Sequence, residues 1–159
     1  MTKIKIIIYD FDGVMTDNKA YVDENGKETV QINRSDGLGI ELLKKLGLEQ
    51  MIMSTEKNKV VKARAKKLEI PVIQGVNNKL ETLIKFCKKR NVLKRSVAFL
   101  GNDINDKEAM LNSGLSFCPL DAHSEIKNIS THILNAKGGE GVVREMFDFV
   151  KKNENLFKI

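Results

Sequence analysis

The sequence predicts an α/β fold: a Rossmann-like doubly wound parallel sheet with helices on both faces, a β-hairpin flap after the first strand and no cap domain. Three observations carry that expectation. Short apolar runs alternate with longer segments of helical period, the pattern of successive βαβ units. The first run, Lys3–Tyr9, holds Ile4, Ile6, Ile7 and Ile8 and suits a strand covered on both faces. The 159 residues fill one domain, 1–159, and leave no length for a separate lid.

The elements follow in order. Ala20–Ile32 breaks the alternation, because Asn25-Gly26 between the β-prone residues Tyr21, Val22 and Thr29, Val30 is a hairpin signal. It predicts a flap at about 20–33. Asp36–Leu46 is a helix with Leu38, Ile40, Leu42, Leu43 and Leu46 as its apolar set, stopped by Gly47. Gln50–Met53 is a strand, Lys57–Leu68 a basic amphipathic helix ended before Pro71, and Val72–Gln74 a third strand. Asn78–Arg90 reads as a helix, Ser96–Leu100 as a strand, and the region near Asp106–Asn112 as a helix. Leu115–Cys118 and His132–Leu134 are strands flanking a short helix at Ser124–Asn128. The tail, about 136–159, carries a helix from about Gly141 to Lys152, preceded by Gly138-Gly139-Glu140-Gly141, expected to be a mobile loop.

Composition narrows the function classes. Lys and Arg number 27 against 21 Asp and Glu, a balance of +6 that favours an anionic ligand. Aromatics are 6% of the chain, too few to stack many bases, and the lysines are dispersed, so a small anion is expected and nucleic acid is not. No apolar run approaches the ~20 residues that span a bilayer, and the first strand runs straight into Asp10 and Asp12, unlike a signal peptide. With only Cys87 and Cys118 the expected setting is a reducing cytoplasm.

Parallel sheets bind ligands at the carboxyl ends of their strands. Asp10-Phe11-Asp12-Gly13-Val14 follows the first strand, and its two carboxylates start on one side of the backbone. Two such charges repel unless a cation or a shared proton compensates. Ser54 follows the second strand, where a hydroxyl can donate to an anion. Lys79 opens the helix after the third, and Gly101-Asn102-Asp103-Ile104-Asn105-Asp106 follows the fourth. Carboxylates, a hydroxyl, a lysine and more carboxylates at one sheet edge are what phosphoryl transfer to a carboxylate requires. No P-loop pattern and no Cys/His zinc cluster is present, and His123 and His132 read as a loop and a strand residue.

The set Asp10-Phe-Asp12-Gly-Val, Ser54, Lys79 and Gly-Asn-Asp103-Ile-Asn-Asp106 resembles the haloacid dehalogenase superfamily of phosphatases over nearly the whole chain. The missing cap, the hairpin and the tail Gly138-Gly139-Glu140-Gly141-Val142-Val143-Arg144-Glu145 look like the capless subclass that includes 3-deoxy-octulosonate 8-phosphate and nonulosonate 9-phosphate phosphatases. That resemblance implies Asp10 as the nucleophile forming an aspartyl phosphate, and Asp12 as the acid and then the base. It implies Mg²⁺ on Asp10, the Asp12 carbonyl and Asp103, with Ser54 and Lys79 binding phosphate. Asp106 is expected to support Lys79 or a metal-bound water. Asn102, where close relatives often carry Asp, is not expected to be a ligand.

Octulosonate phosphatases typically follow the motif's Thr or Ser with Gly-Arg, whereas this chain reads Ser54-Thr55-Glu56-Lys57-Asn58. Glu56 can accept hydrogen bonds from sugar hydroxyls, while Arg64 and Lys67, three apart on one helix, can share a face toward a carboxylate. The stretch looks more like nonulosonate phosphatases, so the expected substrate is a nine-carbon 2-keto-3-deoxy sugar acid 9-phosphate. The eight-carbon 8-phosphate is the alternative. The subclass also implies a homotetramer, with hairpins meeting centrally and a neighbouring subunit closing each active site. An alternative of another class is a non-catalytic oligomerisation module, like the C-terminal domain of sialic-acid cytidylyltransferases.

Overall fold

The computed structural model describes residues 2–159. Six strands form one parallel sheet. Across it run Val72–Ile73 (β5), Glu49–Met53 (β4), Ile6–Tyr9 (β1), Val97–Leu100 (β6), Leu115–Cys118 (β7) and His132–Ile133 (β8). β1 is central because all four of its residues are buried, and side chains on a strand alternate between faces. Ile6 and Ile8 join Met51, Met53, Val97 and Phe99 against the helices Lys79–Arg90 (α3), Lys107–Leu111 (α4) and Ser124–Ile129 (α5). Ile7 and Tyr9 join Ile52, Ala98 and Leu100 against Arg34–Lys45 (α1), Lys59–Leu68 (α2) and Val142–Lys152 (α6). Burying each such side chain is worth about 1.5–3 kcal/mol, so the two cores set the strand register. Among the described residues no helix is long and apolar enough to cross a membrane.

Helix starts follow side-chain caps more closely than apolar spacing. Asn33 accepts the Ser35 N–H and Asn58 the Val60 N–H, so α1 begins two residues before, and α2 two residues after, the positions the spacing predicts. Within α1, Gly39 lets α6 approach, since a Cβ there would lie 2.9 Å from the Val143 carbonyl. The Asp36 carboxylate completes the junction by accepting the N–H groups of Val143 at 3.0 Å and Arg144 at 3.3 Å, capping α6.

The hairpin forms as expected, pairing Tyr21–Val22 (β2) with Glu28–Thr29 (β3). Asp23 Oδ1 accepts the N–H groups of Asn25 and Lys27, and Gly26, at φ +76°, closes a three-residue loop. The expectation of a mobile tail loop needs correction: the Gly138–Gly141 segment is docked rather than free. Gly139 N–H donates to the Val14 carbonyl at 3.0 Å and Gly138 N–H to Asp121 at 2.9 Å. A Cβ at Gly138 would stand 2.2 Å from the Gly13 carbonyl, so only glycine lets this loop lie against the turn after β1.

Candidate active site

The carboxyl ends of β1, β4 and β6 and the hairpin base enclose a cleft of about 320 Å³, lined among others by Asp10, Asp12, Ser54, Glu56, Asn102 and Asp103. Asp10 is fixed by its N–H bond to the Leu100 carbonyl, 2.8 Å, which ties the turn to β6. Gly13, at φ +82°, then reverses the chain and makes room for Asn102. Thr16, fully buried, accepts the Gly13 N–H and donates to Asp12 Oδ1 at 3.4 Å, steadying the second carboxylate.

Lys79 is the electrostatic centre. Its ammonium lies 2.7 Å from Asp10 Oδ1 and 2.5 Å from Asp106 Oδ1, and all three side chains are buried. Burial works against the Lys79 charge, but Asp10 and Asp106 outweigh it and hold its pKa above the ordinary value. Asp10 is pushed up to about 7 by burial first and the Asp106 charge second, with Lys79 opposing. Asp12 is raised as well, by burial and then by the charge of Glu56. A carboxyl shifted this way holds a proton more readily, as a general acid must. Asp106 Oδ2 also accepts the N–H groups of Asn102 and Asp103, so it ties the fourth loop to Lys79 as expected. Ser54 is buried and its Oγ accepts the Glu56 N–H at 3.1 Å, leaving the hydroxyl hydrogen for a ligand.

Other expected residues lie elsewhere. Arg64 and Lys67 do not reach this cleft. They line a separate cavity of about 610 Å³ between α1 and α2, with Arg34 and Lys44, and Arg64 Nη2 donates to the Asn33 carbonyl. Glu56 lines the acidic cleft, but Oε1 accepts its neighbours' N–H groups at Lys57 and Asn58. Asp103 also lines it, yet its exposed carboxylate turns back to the Ile104 N–H at 2.7 Å. Among the described residues no three His, Cys, Asp or Glu side chains stand together as an ion site. The hairpin adds Lys19 and Glu28 to the wall, which the sequence reading missed. The signal was the position of the flap directly after the Asp10 turn.

Charge is distributed unlike the expectation drawn from +6. The cleft walls carry Asp10, Asp12, Glu28, Glu56 and Asp103 against Lys19, with Lys79 beneath, while Arg34, Lys44, Arg64 and Lys67 gather between α1 and α2. A cleft this acidic takes up an anion only with a cation present. The buried Asp10 carboxylate and the Asp12 carbonyl beside it are hard oxygens that fit one. The Asn102 side-chain nitrogen donates to the Asp12 carbonyl at 2.9 Å and to Asp10 Oδ2 at 3.1 Å.

Comparison with known proteins agrees with this geometry. The sequence model of the haloacid dehalogenase-like hydrolases matches residues 4–146. The chain is 34% identical over 154 residues to the 3-deoxy-D-manno-octulosonate 8-phosphate phosphatase of Salmonella typhi, covering 94% of this chain and 82% of that protein. To the Haemophilus influenzae enzyme of that name it is 31% identical over 151 residues, covering 94% and 84%. The Moraxella catarrhalis enzyme of the same name, solved with magnesium, phosphate and KDO, superposes with a TM-score of 0.91 at 31% identity, covering 97% of this chain and 89% of that one. With its acidic turn after β1, its buried lysine and its capless sheet, this chain belongs to the haloacid dehalogenase-like hydrolases.

Proposed function

We propose that this phosphatase hydrolyses the phosphomonoester of a 2-keto-3-deoxy sugar acid, with the eight-carbon octulosonate 8-phosphate as the substrate its relatives support best. The observation that carries the reading is the buried Asp10–Lys79–Asp106 array, with Asp12 beside it at the open end of the sheet. Asp10 Oδ1 attacks phosphorus and the bond to the sugar oxygen breaks, with Asp12 giving that oxygen its proton. Water then attacks the aspartyl phosphate, loses its proton to Asp12, and inorganic phosphate leaves. Lys79 and the Ser54 hydroxyl hold phosphate oxygens as charge shifts onto them. Asp10 and the Asp12 carbonyl would hold Mg²⁺, which supplies the positive charge that lets an anionic nucleophile meet an anionic ester.

The competing reading, a non-catalytic oligomerisation module, has no use for a lysine buried between two carboxylates. Desolvating each such ion costs several kcal/mol, and only chemistry or exact pairing offsets that.

The nine-carbon substrate expected from sequence is the second reading. It rests on Glu56, which lines the cleft and whose carboxylate can accept hydrogen bonds from sugar hydroxyls. The relatives named above carry the eight-carbon name. The discriminating experiment is kcat/KM with Mg²⁺ on octulosonate 8-phosphate against nonulosonate 9-phosphates. Preference for the eight-carbon ester by tenfold or more supports the first reading and removes the second, and the reverse preference exchanges them.

Assembly completes the proposal. The cleft lies open beside the hairpin, whose Tyr21 is 81% and Val22 63% exposed. Copies of the chain meeting through these apolar side chains, as a homotetramer, would cover the substrate and dry the site.

A further inference from the structure

We infer that Glu28, on the hairpin, is a substrate-binding residue whose carboxylate accepts the hydroxyl on the carbon next to the phosphorylated one. The inference rests on the function proposed above and names a contact of that same site. Of the residues from Tyr21 to Thr29, Glu28 alone is half-buried. Side chains alternate along a strand, so the chain turns Thr29 outward and Glu28 and Val30 inward. Both of these line the cleft together with Asp12.

A second observation fixes the carboxylate. Asn58 Nδ2 donates to Glu28 Oε2 at 3.0 Å, while Asn58 Oδ1 accepts the Val60 N–H at 3.1 Å and caps α2. A helix end therefore holds one oxygen of a flap side chain that would otherwise swing in solvent. The other, Glu28 Oε1, makes no hydrogen bond among the described residues. The Asn58 N–H also holds Glu56 Oε1 at 3.0 Å, so one asparagine sets two carboxylates on the cleft wall.

The order of the groups says which hydroxyl is read. Asp10 meets phosphorus and Asp12 the ester oxygen, so the next polar group of the leaving alcohol is the hydroxyl on the neighbouring carbon. In a cleft of about 320 Å³ that hydroxyl stands against the wall. A hydroxyl donating to an ionised carboxylate makes a bond roughly twice as strong as one between neutral groups. When the hydroxyl is missing, the acceptor is left unpaired and the analogue is rejected. The charge also repels a second anion at this point, which puts the substrate's own carboxylate at the far end of the molecule. The rival reading makes Glu28 a latch only, tying the hairpin to α2.

The test compares kcat/KM with Mg²⁺ for the better of the two sugar-acid esters named above and for its analogue lacking that hydroxyl. The parent should prefer the hydroxylated ester by at least about tenfold. In Glu28→Ala the preference should fall to within about threefold of unity, while the deoxy ester keeps its kcat/KM within about threefold of the parent. In Glu28→Gln, which keeps an acceptor for Asn58, the preference should fall by at least about threefold. A latch alone would lower both esters together, and that result overturns the inference. So does an unchanged preference in Glu28→Ala, or a parent with none. Thermal melts verify folding, and Glu28→Gln decides if Glu28→Ala does not fold. If the parent hydrolyses neither sugar-acid ester, the proposed function falls with the inference; if it hydrolyses one and the preference does not move, the inference alone falls.

Discussion

Lys79 Nζ lies 2.7 Å from Asp10 Oδ1, and neither side chain is more than 8% exposed. The pair is both a folding element and the centre of the chemistry. Lys79→Met keeps the volume but leaves Asp10 and Asp106 facing each other without a counter-charge. Breaking a buried pair this way costs about 3–5 kcal/mol. Urea unfolding should show that loss, and phosphate release should disappear. A variant with parental stability would mean the pair is not ionised.

Asp106 connects Lys79 to the loop that carries Asn102, because Oδ1 holds the ammonium and Oδ2 the N–H groups of Asn102 and Asp103. Asp106→Ala should lower kcat by about 10²-fold or more by freeing Lys79 and the loop together. Asp106→Asn, which keeps an acceptor, should lose less. Steady-state kinetics on both variants checks the order.

The glycine contact between the tail loop and the Asp10 turn is also testable. In Gly138→Ala the new methyl would meet the Gly13 carbonyl, and relieving such a clash costs roughly 1–3 kcal/mol. Gly26→Ala, in open space at the hairpin tip, meets nothing within 4 Å, though its φ of +76° is still unfavourable for alanine. Melting temperatures and activity of the two variants should separate, with activity falling only in Gly138→Ala.

Burial pushes Asp36 up to about 6, above its ordinary 3.8, and its bonds to Arg144 and Val143 only partly offset this. A raised carboxyl pKa means the folded state binds this proton more tightly than the unfolded chain does. Ionising Asp36 therefore removes stability as pH rises from about 4 to 6, in total about 3 kcal/mol. Asp36→Asn keeps an oxygen for the Val143 and Arg144 N–H groups and cannot ionise. Unfolding midpoints across pH 4–7 should fall less steeply with rising pH in Asp36→Asn than in the parent. Equal slopes would contradict the shift.

Much of the fold was legible because its signals are local. The unbroken isoleucines of β1 and the apolar sets of α2 and α3 read directly as strand and helices. Asn33 and Asn58 show why boundaries slipped, since the capping asparagine, not the nearest apolar residue, starts each helix. The site was legible as a set, because Asp10, Ser54, Lys79 and Asp103 each come after a strand. What spacing could not give was partnership. A lysine at a helix start reads as exposed, and only the parallel order β5-β4-β1-β6 brings Lys79 under Asp10. Arg64 and Lys67 share a face as their spacing implies, but α2 packs on the α1 side of the sheet and turns that face into a different cavity.

If copies assemble through the hairpin, replacing its exposed apolar side chains should show it. Tyr21→Glu with Val22→Lys should reduce the solution mass toward a single chain by light scattering. Activity on the sugar-acid ester should fall while the melting temperature holds within a few degrees. An unchanged mass would exclude the hairpin as the contact.

The central claim is that Asp10 is the attacking group, and Asp10→Asn tests it most directly. The amide is nearly isosteric but a poor nucleophile. Mg²⁺-dependent phosphate release from octulosonate 8-phosphate should fall by at least about 10³-fold, with circular dichroism unchanged from the parent. Turnover within tenfold of the parent in a folded Asp10→Asn protein would contradict the account.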